Sequence, residues 1–146
     1  KGLAPNILTV TKGWSEAYGL FMDGEADLVL SYTTSPAYHM IAENDSSKKA
    51  AIFDEGHYMQ IEVAAKIFNT DQTELADKFL DFMVSEKFQT IIPTTNWMYP
   101  VINLDAKLDK AFLSPIPKNK SLYFDPTTAQ ETRKKALDEW LEILSK

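Results

Sequence analysis

Thr9-Val10-Thr11-Lys12-Gly13-Trp14-Ser15-Glu16-Ala17-Tyr18-Gly19-Leu20-Phe21 and, six residues on, Asp27-Leu28-Val29-Leu30-Ser31-Tyr32-Thr33-Thr34-Ser35-Pro36-Ala37-Tyr38 carry the reading of the fold. Residues 7–11 are a short run rich in β-branched side chains that stops at Gly13; Trp14, Ala17, Tyr18 and Phe21 then repeat apolar groups at helical spacing. Asp23-Gly24 closes that helix. Residues 26–31 form a nearly continuous apolar run, the kind a strand buried on both faces requires. Ser35 then stands as an N-cap with Pro36 at the first helical position, starting a second helix that runs to about Asn44. Strands that alternate with helices predict an α/β layer architecture with a mixed or parallel sheet. In such sheets the ligand crevice lies outside the carboxyl ends of the strands, which selects residues 11–15 and 31–35.

Further along, residues 44–49 are a polar loop, and residues 50–53 and 58–68 read as strands with Asp54-Glu55-Gly56 as the turn between them. Asp71 with Glu74 makes a start like a capping box, ahead of an apolar stripe of Leu75, Phe79, Phe82 and Met83. Ser85 begins a second short helix that Pro93 ends, and residues 94–100 are an irregular loop. Residues 101–120 carry the least pattern; they are read as a short helix over about 105–113 and a Pro-containing linker. Residues 121–124 are expected as a strand. The last helix has Thr128 and Glu131 as its capping box and Leu137, Trp140, Leu141 and Leu144 on one face, with Trp140 in the core.

The 146 residues are 45% hydrophobic and 25% charged, ordinary for a globular domain with one modest core. No apolar run approaches the roughly 18 residues that cross a bilayer, so membrane insertion is not expected. The opening Lys1-Gly2-Leu3-Ala4-Pro5-Asn6 reads as the middle of a structured segment, and an N-terminal part is expected to precede it. With no Cys, this segment holds no disulfide, thiolate metal site or cysteine nucleophile. A net charge of -6 repels phosphate backbones and anionic lipid, so nucleic acid is not an expected partner, while a cationic ligand would suit it.

Enzyme motifs are missing: there is no Gly-x-Ser-x-Gly elbow, no phosphate loop and no Gly-x-Gly-x-x-Gly. His39 and His57 are the only histidines and have no metal-ligand spacing, so no role is assigned to either. Two glycosylation-like triplets, Asn44-Asp45-Ser46 and Asn119-Lys120-Ser121, carry little weight. What the crevice positions offer is aromatic and hydroxyl groups. Trp14 opens the first helix, Tyr32 follows the apolar run, Thr33, Thr34 and Ser35 supply hydroxyls, and Trp97 and Tyr99 lie in the irregular loop. Aromatic faces attract cations, so this set describes a site for a flat organic cation, with helix N-termini near Gly13 and Ser35 suited to a phosphate at its other end. Taken alone, Trp14 shares a stripe with Tyr18 and Phe21 and reads as core; Tyr32 reads either way; Trp97 lacks a regular face to bury against, with loop anchoring as the alternative.

The two quoted stretches, together with Asn96-Trp97-Met98-Tyr99-Pro100-Val101, closely resemble the thiamine-binding proteins of ABC importers. The resemblance runs along essentially the whole chain, strongest over residues 9–38 and 55–101 and fading through 103–122. It implies the C-terminal portion of a two-lobed, type II periplasmic binding fold that encloses thiamine, thiamine monophosphate or thiamine pyrophosphate. Trp14, Tyr32 and Trp97 would line the ligand, with Tyr38 as a further contact; Thr33 and Thr34, chosen for their hydroxyls at the crevice positions, complete the expected ligand-binding set.

Residues 1–56 would be part of the second lobe and carry the ligand-lining aromatics. Residues 57–98 would supply the crossover strand and a helical pair packing toward the first lobe, and residues 99–146 a return segment and the terminal helix. The resemblance also implies a periplasmic, non-enzymatic role with no cofactor and no metal. Its expected partners are the inner-membrane permease and ATPase of the importer and the N-terminal half. The alternatives are a ferric-ion or other small-solute binding protein of the same fold, although no Tyr-Tyr pair occurs, and a thiamine-degrading transferase, which would need a cysteine nucleophile.

Overall fold

Helix α1 (Trp14–Met22) begins after an extended Gly13 that has no side chain to cap it. Glu16 in the first turn ties down the chain that enters it: its carboxylate accepts the Lys12 N–H at 3.0 Å, while the Thr11 hydroxyl donates to the Gly13 carbonyl at 2.7 Å. The far end closes as Asp23-Gly24 predicts. Gly24 takes φ 78°, its N–H goes to the Phe21 carbonyl, and the Glu25 N–H goes to Leu20, the pairing of a Schellman motif.

The computed structural model describes residues 2–104, 107–113 and 121–144. The expected helix over 105–113 therefore lies partly outside the described residues, as does most of the triplet at 119–121; within them, Lys110–Phe112 is a single 3₁₀ turn capped by Asp109. The chain divides into two compact units, one holding the chain up to Ser31 and from Leu122 on, the other Tyr32–Ser121. The first contains α1 and α6 (Pro126–Leu144). The second contains α2 (Ser35–Ala42), α3 (Thr73–Met83), α4 (Glu86–Gln89) and α5 (Ile92–Thr95).

Strand pairing departs most from expectation. Among the described residues the ladder is two residues long, joining β1 (His57–Tyr58) to β2 (Ser121–Leu122). Residues 7–11, 26–31, 50–53 and 59–67 belong to no ladder. The apolar run at 26–31 is not buried on both faces either, since Leu28 is 74% and Leu30 89% exposed. The physical reason is that a strand is completed by its neighbour: a β-branched run can extend alone, but its N–H and C=O groups form a ladder only against a second chain segment. The turn at residues 53–56 does form, with the Gly56 N–H on the Phe53 carbonyl at 3.1 Å and Gly56 at φ 104°.

Helix caps were misplaced by a few residues. Ser35 is the first helical residue of α2 and Thr34 its N-cap; the helix stops at Ala42, before Asn44 turns left-handed at φ 54°. Asp71 and Glu74 make no capping box. Gln72 is the N-cap of α3 and makes no side-chain capping bond; the turn before it is tied by the Thr70 Oγ1, which accepts the Gln72 N–H at 3.2 Å, while Glu74 is taken by Lys78 at 2.6 Å. Ser85 caps α4 as expected, through the Phe88 N–H. Pro93 opens α5 rather than ending a helix, because its ring fits the first turn, where no N–H is needed.

At α6 the cap is Asp125, not Thr128. The Asp125 Oδ1 accepts the N–H groups of Thr127 and Thr128 at 3.0 and 3.1 Å, and Oδ2 accepts the Thr128 hydroxyl at 2.5 Å. These bonds, the Thr128 hydroxyl first, hold the Asp125 carboxyl below its ordinary 3.8. A depressed folded value means the stabilisation is present above that ordinary value and disappears as pH falls through the lower, folded one. Asp125→Ala should therefore lower the melting temperature by a few degrees at neutral pH, and the difference should vanish in acid; a pH-independent difference in thermal melts would refute the assignment. Trp140, expected in the core, is 51% exposed, and Leu141 62%. The stripe is present but only about half covered, and no described residue of this unit is fully buried.

Among the described residues the buried ones lie in the second unit: Ala37, Leu104 and Phe112, joined by Thr34, His39, Gln89 and Pro93. Helix α2 packs on the 3₁₀ turn Lys110–Phe112, α3 on α4 and α4 on α5. Gln89 ties this packing to the following loop, donating to the Met83 carbonyl at 2.7 Å and accepting the Val101 N–H at 2.8 Å. Both ends of a buried amide are thereby satisfied, which removes the penalty for enclosing it.

Candidate functional site

Trp97 occupies the position just after α5 where a helix usually places glycine, and its backbone is left-handed, φ 55°. For a bulky residue this conformation costs on the order of 1–2 kcal/mol, and it persists only where the surroundings enforce it. Three contacts do so. The Thr34 hydroxyl donates to the Trp97 carbonyl at 2.5 Å, from the N-cap of α2. Phe112 lies parallel to the indole, 6° between planes and 6.3 Å between centroids. Tyr38 stands at 88° to the indole, 5.0 Å away. Tyr99 adds an edge contact to Phe112 at 6.1 Å.

Of the six residues expected at the site, Thr34, Tyr38 and Trp97 are thus brought together in the second unit. Tyr32 and Thr33 precede them directly on the chain, the Tyr32 carbonyl accepting the Ser35 N–H at 3.0 Å; Tyr32 is 46% exposed. Trp14 belongs to the first unit. Its indole N–H donates to the Ser31 hydroxyl at 3.2 Å and its ring lies 4.7 Å from that of Tyr18, yet it is 53% exposed, so it is not the core residue its stripe indicates. A hydrogen bond and one tilted ring fix the indole while leaving much of its surface open.

Four residues in this region escaped the sequence reading. Phe112 and Gln89 form the floor beneath the loop. His39 is 1% exposed, with its Nδ1 2.6 Å from the Glu43 Oε2. Since a carboxylate can only accept, Nδ1 carries the proton and donates. Glu43 also takes the Tyr38 hydroxyl; that bond, together with the carboxylate's charge, holds the Tyr38 phenol above its ordinary range. The same contacts, His39 first, hold Glu43 below its ordinary 4.5. The spacing of His39 and Glu43, four apart on one helix, was the available signal. His57 has a local duty, its Nε2 accepting the Phe53 N–H at 3.3 Å across the turn.

A concavity of about 240 Å³ opens beside α5, lined by Thr90, Pro93, Leu104 and Phe112 among others. None of the six expected residues lines it, and it meets the aromatic group only through Phe112. The aromatic corner, held in a strained backbone by three separate contacts, is the better site on physical grounds.

The rings of Tyr38, Trp97, Tyr99 and Phe112 gather around the Trp97 carbonyl held by the Thr34 hydroxyl, and among the described residues no group of three His, Cys, Asp or Glu is placed to hold a metal ion. No described helix is long and apolar enough to cross a membrane. The family model of bacterial extracellular solute-binding proteins matches residues 6–124. The chain belongs to that family.

This solute-binding chain is 54% identical over 144 residues to the thiamine-binding periplasmic protein of Salmonella typhimurium, covering 99% of this chain and 43% of that protein. It is 52% identical, with the same coverage, to the protein of that name from Escherichia coli, and 39% identical over its whole length to the one from Haemophilus influenzae. A solved structure of a periplasmic thiamin binding protein superimposes with a TM-score of 0.87 at 52% identity, covering 99% of this chain and 45% of that one. The fold is therefore that of part of a type II periplasmic binding protein, and the α/β class expected from the sequence holds. The chain spans about 43% of the length of the curated relatives it matches.

Proposed function

We propose that this chain supplies one wall of a periplasmic receptor that captures thiamine, or its mono- or pyrophosphate, and presents it to the permease and ATPase of an inner-membrane ABC importer. What carries the reading is the Thr34–Tyr38–Trp97 corner, an aromatic pair held in a strained backbone, in a chain whose relatives are named for binding thiamine. A thiazolium is a flat, delocalised cation. Aromatic faces hold such a group through their quadrupole, at roughly 0.5–2 kcal/mol per contact, while tolerating its apolar surface. Tyr32, Tyr38 and Trp97 are the ring contacts of this wall and Trp14 is the ring contributed by α1. Thr33 offers a hydroxyl, and Thr34 acts by fixing Trp97.

The ligand leaves unchanged. Capture proceeds by lobe closure, driven by the ligand's greater affinity for the closed state, and needs no cofactor. In this reading residues 1–56 are part of the second lobe, residues 57–98 supply the crossover strand and a helical pair that packs toward the first lobe, and residues 99–146 the return segment and terminal helix. The ferric-ion and transferase alternatives are set aside because the relatives described above are named for thiamine.

Isothermal titration of thiamine and its phosphates into the full-length protein, alongside this 146-residue chain, tests the proposal. Tight binding by the whole and weak binding by the chain is the expected pair of results. Absence of heat with the whole protein would return the chain to an unassigned solute-binding wall.

A further inference from the structure

Trp14 opens α1 at a point where the chain is fastened on either side of it: the Thr11 hydroxyl goes to the Gly13 carbonyl at 2.7 Å and the Lys12 N–H to the Glu16 carboxylate at 3.0 Å. Its backbone is thereby placed, but the indole could still take several rotamers. Two contacts select one of them. The indole N–H donates to the Ser31 hydroxyl at 3.2 Å, and the ring of Tyr18, one turn on, lies 4.7 Å from the indole at 33°. Tyr18 is itself backed by Phe21 at 5.7 Å. All four residues belong to the first compact unit. Ser31 ends the 26–31 run, 17 residues along the chain from Trp14, and is half-buried, whereas the indole that it holds is 53% exposed.

A tryptophan kept for packing hides its ring, and the packing then orients it. A ring left half in solvent is different. Its N–H has water as a partner in any case, so the bond to Ser31 adds little to folding stability. What the bond removes is rotamer freedom, an entropy that a ligand would otherwise have to overcome on stacking against the ring. We infer that Ser31 is a positioning residue of the ligand site: it holds the Trp14 indole in one rotamer against Tyr18, so that the ring meets the cation already ordered. The inference rests on the thiamine reading above and adds to it a residue that acts through Trp14 rather than on the ligand.

The test uses the full-length protein as wild type, Ser31→Ala, Ser31→Thr, Trp14→Phe and the double variant Ser31→Ala with Trp14→Phe, each titrated with thiamine. Ser31→Ala is expected to weaken binding about three- to ten-fold, the cost of ordering one side chain on association, and to leave the melting temperature nearly unchanged. Ser31→Thr keeps the hydroxyl and should bind as the wild type does. Trp14→Phe keeps a ring and removes the N–H, so in that background Ser31→Ala should cost nothing further. In spectra of the ligand-free protein carrying isotope-labelled tryptophan, the indole N–H signal that Trp14→Phe removes should move on Ser31→Ala. A loss that persists in the Trp14→Phe background would mean that Ser31 acts on the ligand directly, and a matching loss of thermal stability would make it merely structural. Either result overturns the inference, as does an equal loss in Ser31→Thr, a stationary indole signal, or no loss of affinity in Ser31→Ala while the wild type binds. A wild type that binds no thiamine overturns the thiamine reading itself, and this inference with it.

Discussion

Phe112→Ala is expected to lower the unfolding free energy by about 3–5 kcal/mol, the usual cost of emptying a well-packed aromatic site. Phe112 is 2% exposed and is shared by three packing partners: the parallel indole of Trp97, the edge of Tyr99, and α2 against its 3₁₀ turn. Removing the ring opens a void that none of the three can fill without moving, and Trp97 cannot move freely because its carbonyl is held by Thr34. Urea unfolding of the protein and its Phe112→Ala variant measures the difference. A change under about 1 kcal/mol would place Phe112 among ordinary surface positions and remove the floor from the site described above.

The second large effect falls on ligand capture. Trp97→Ala in the full-length protein should weaken thiamine binding by about 1–3 kcal/mol, or roughly 5- to 150-fold, through lost stacking and cation–π contact. Trp14→Ala is expected to fall in the same range if its half-open indole faces the ligand. Titration calorimetry of both variants is the measurement. Unchanged affinity in both would refute the aromatic clamp, whereas a loss in one alone would assign the cation to that ring.

What could be read from the sequence was what is local. The helices at Trp14–Met22, Ser35–Ala42 and Thr73–Met83 were expected from apolar spacing and end signals that act within a few residues. Strand pairing is not legible in this way, since the runs at 26–31 and 59–67, expected as strands, are extended in the same way whether or not a neighbour supplies their hydrogen bonds. Caps failed for a narrower reason. Several hydroxyl and carboxylate residues crowd each helix start, and backbone geometry, invisible in the letters, put Gln72 at the N-cap of α3 and Asp125 rather than Thr128 at that of α6.

For the site, Thr34, Tyr38 and Trp97 are legible from residue type and family likeness, but nothing in the letters says that Thr34 reaches the Trp97 carbonyl 63 residues away. Phe112 sits in the stretch with the weakest pattern, and burial of His39 is a property of what packs on α2 rather than of its neighbours along the chain.

The left-handed backbone at Trp97 gives this position an unusual evolutionary leverage. Glycine there would relax the chain and asparagine nearly so, each removing a cost that every folded copy of the protein now carries. Set against that gain are the ring contacts with Tyr38 and Phe112, so in a lineage released from capture the position is held by packing alone, against its backbone cost. Its retention in any descendant would then be a record that capture still matters to the cell.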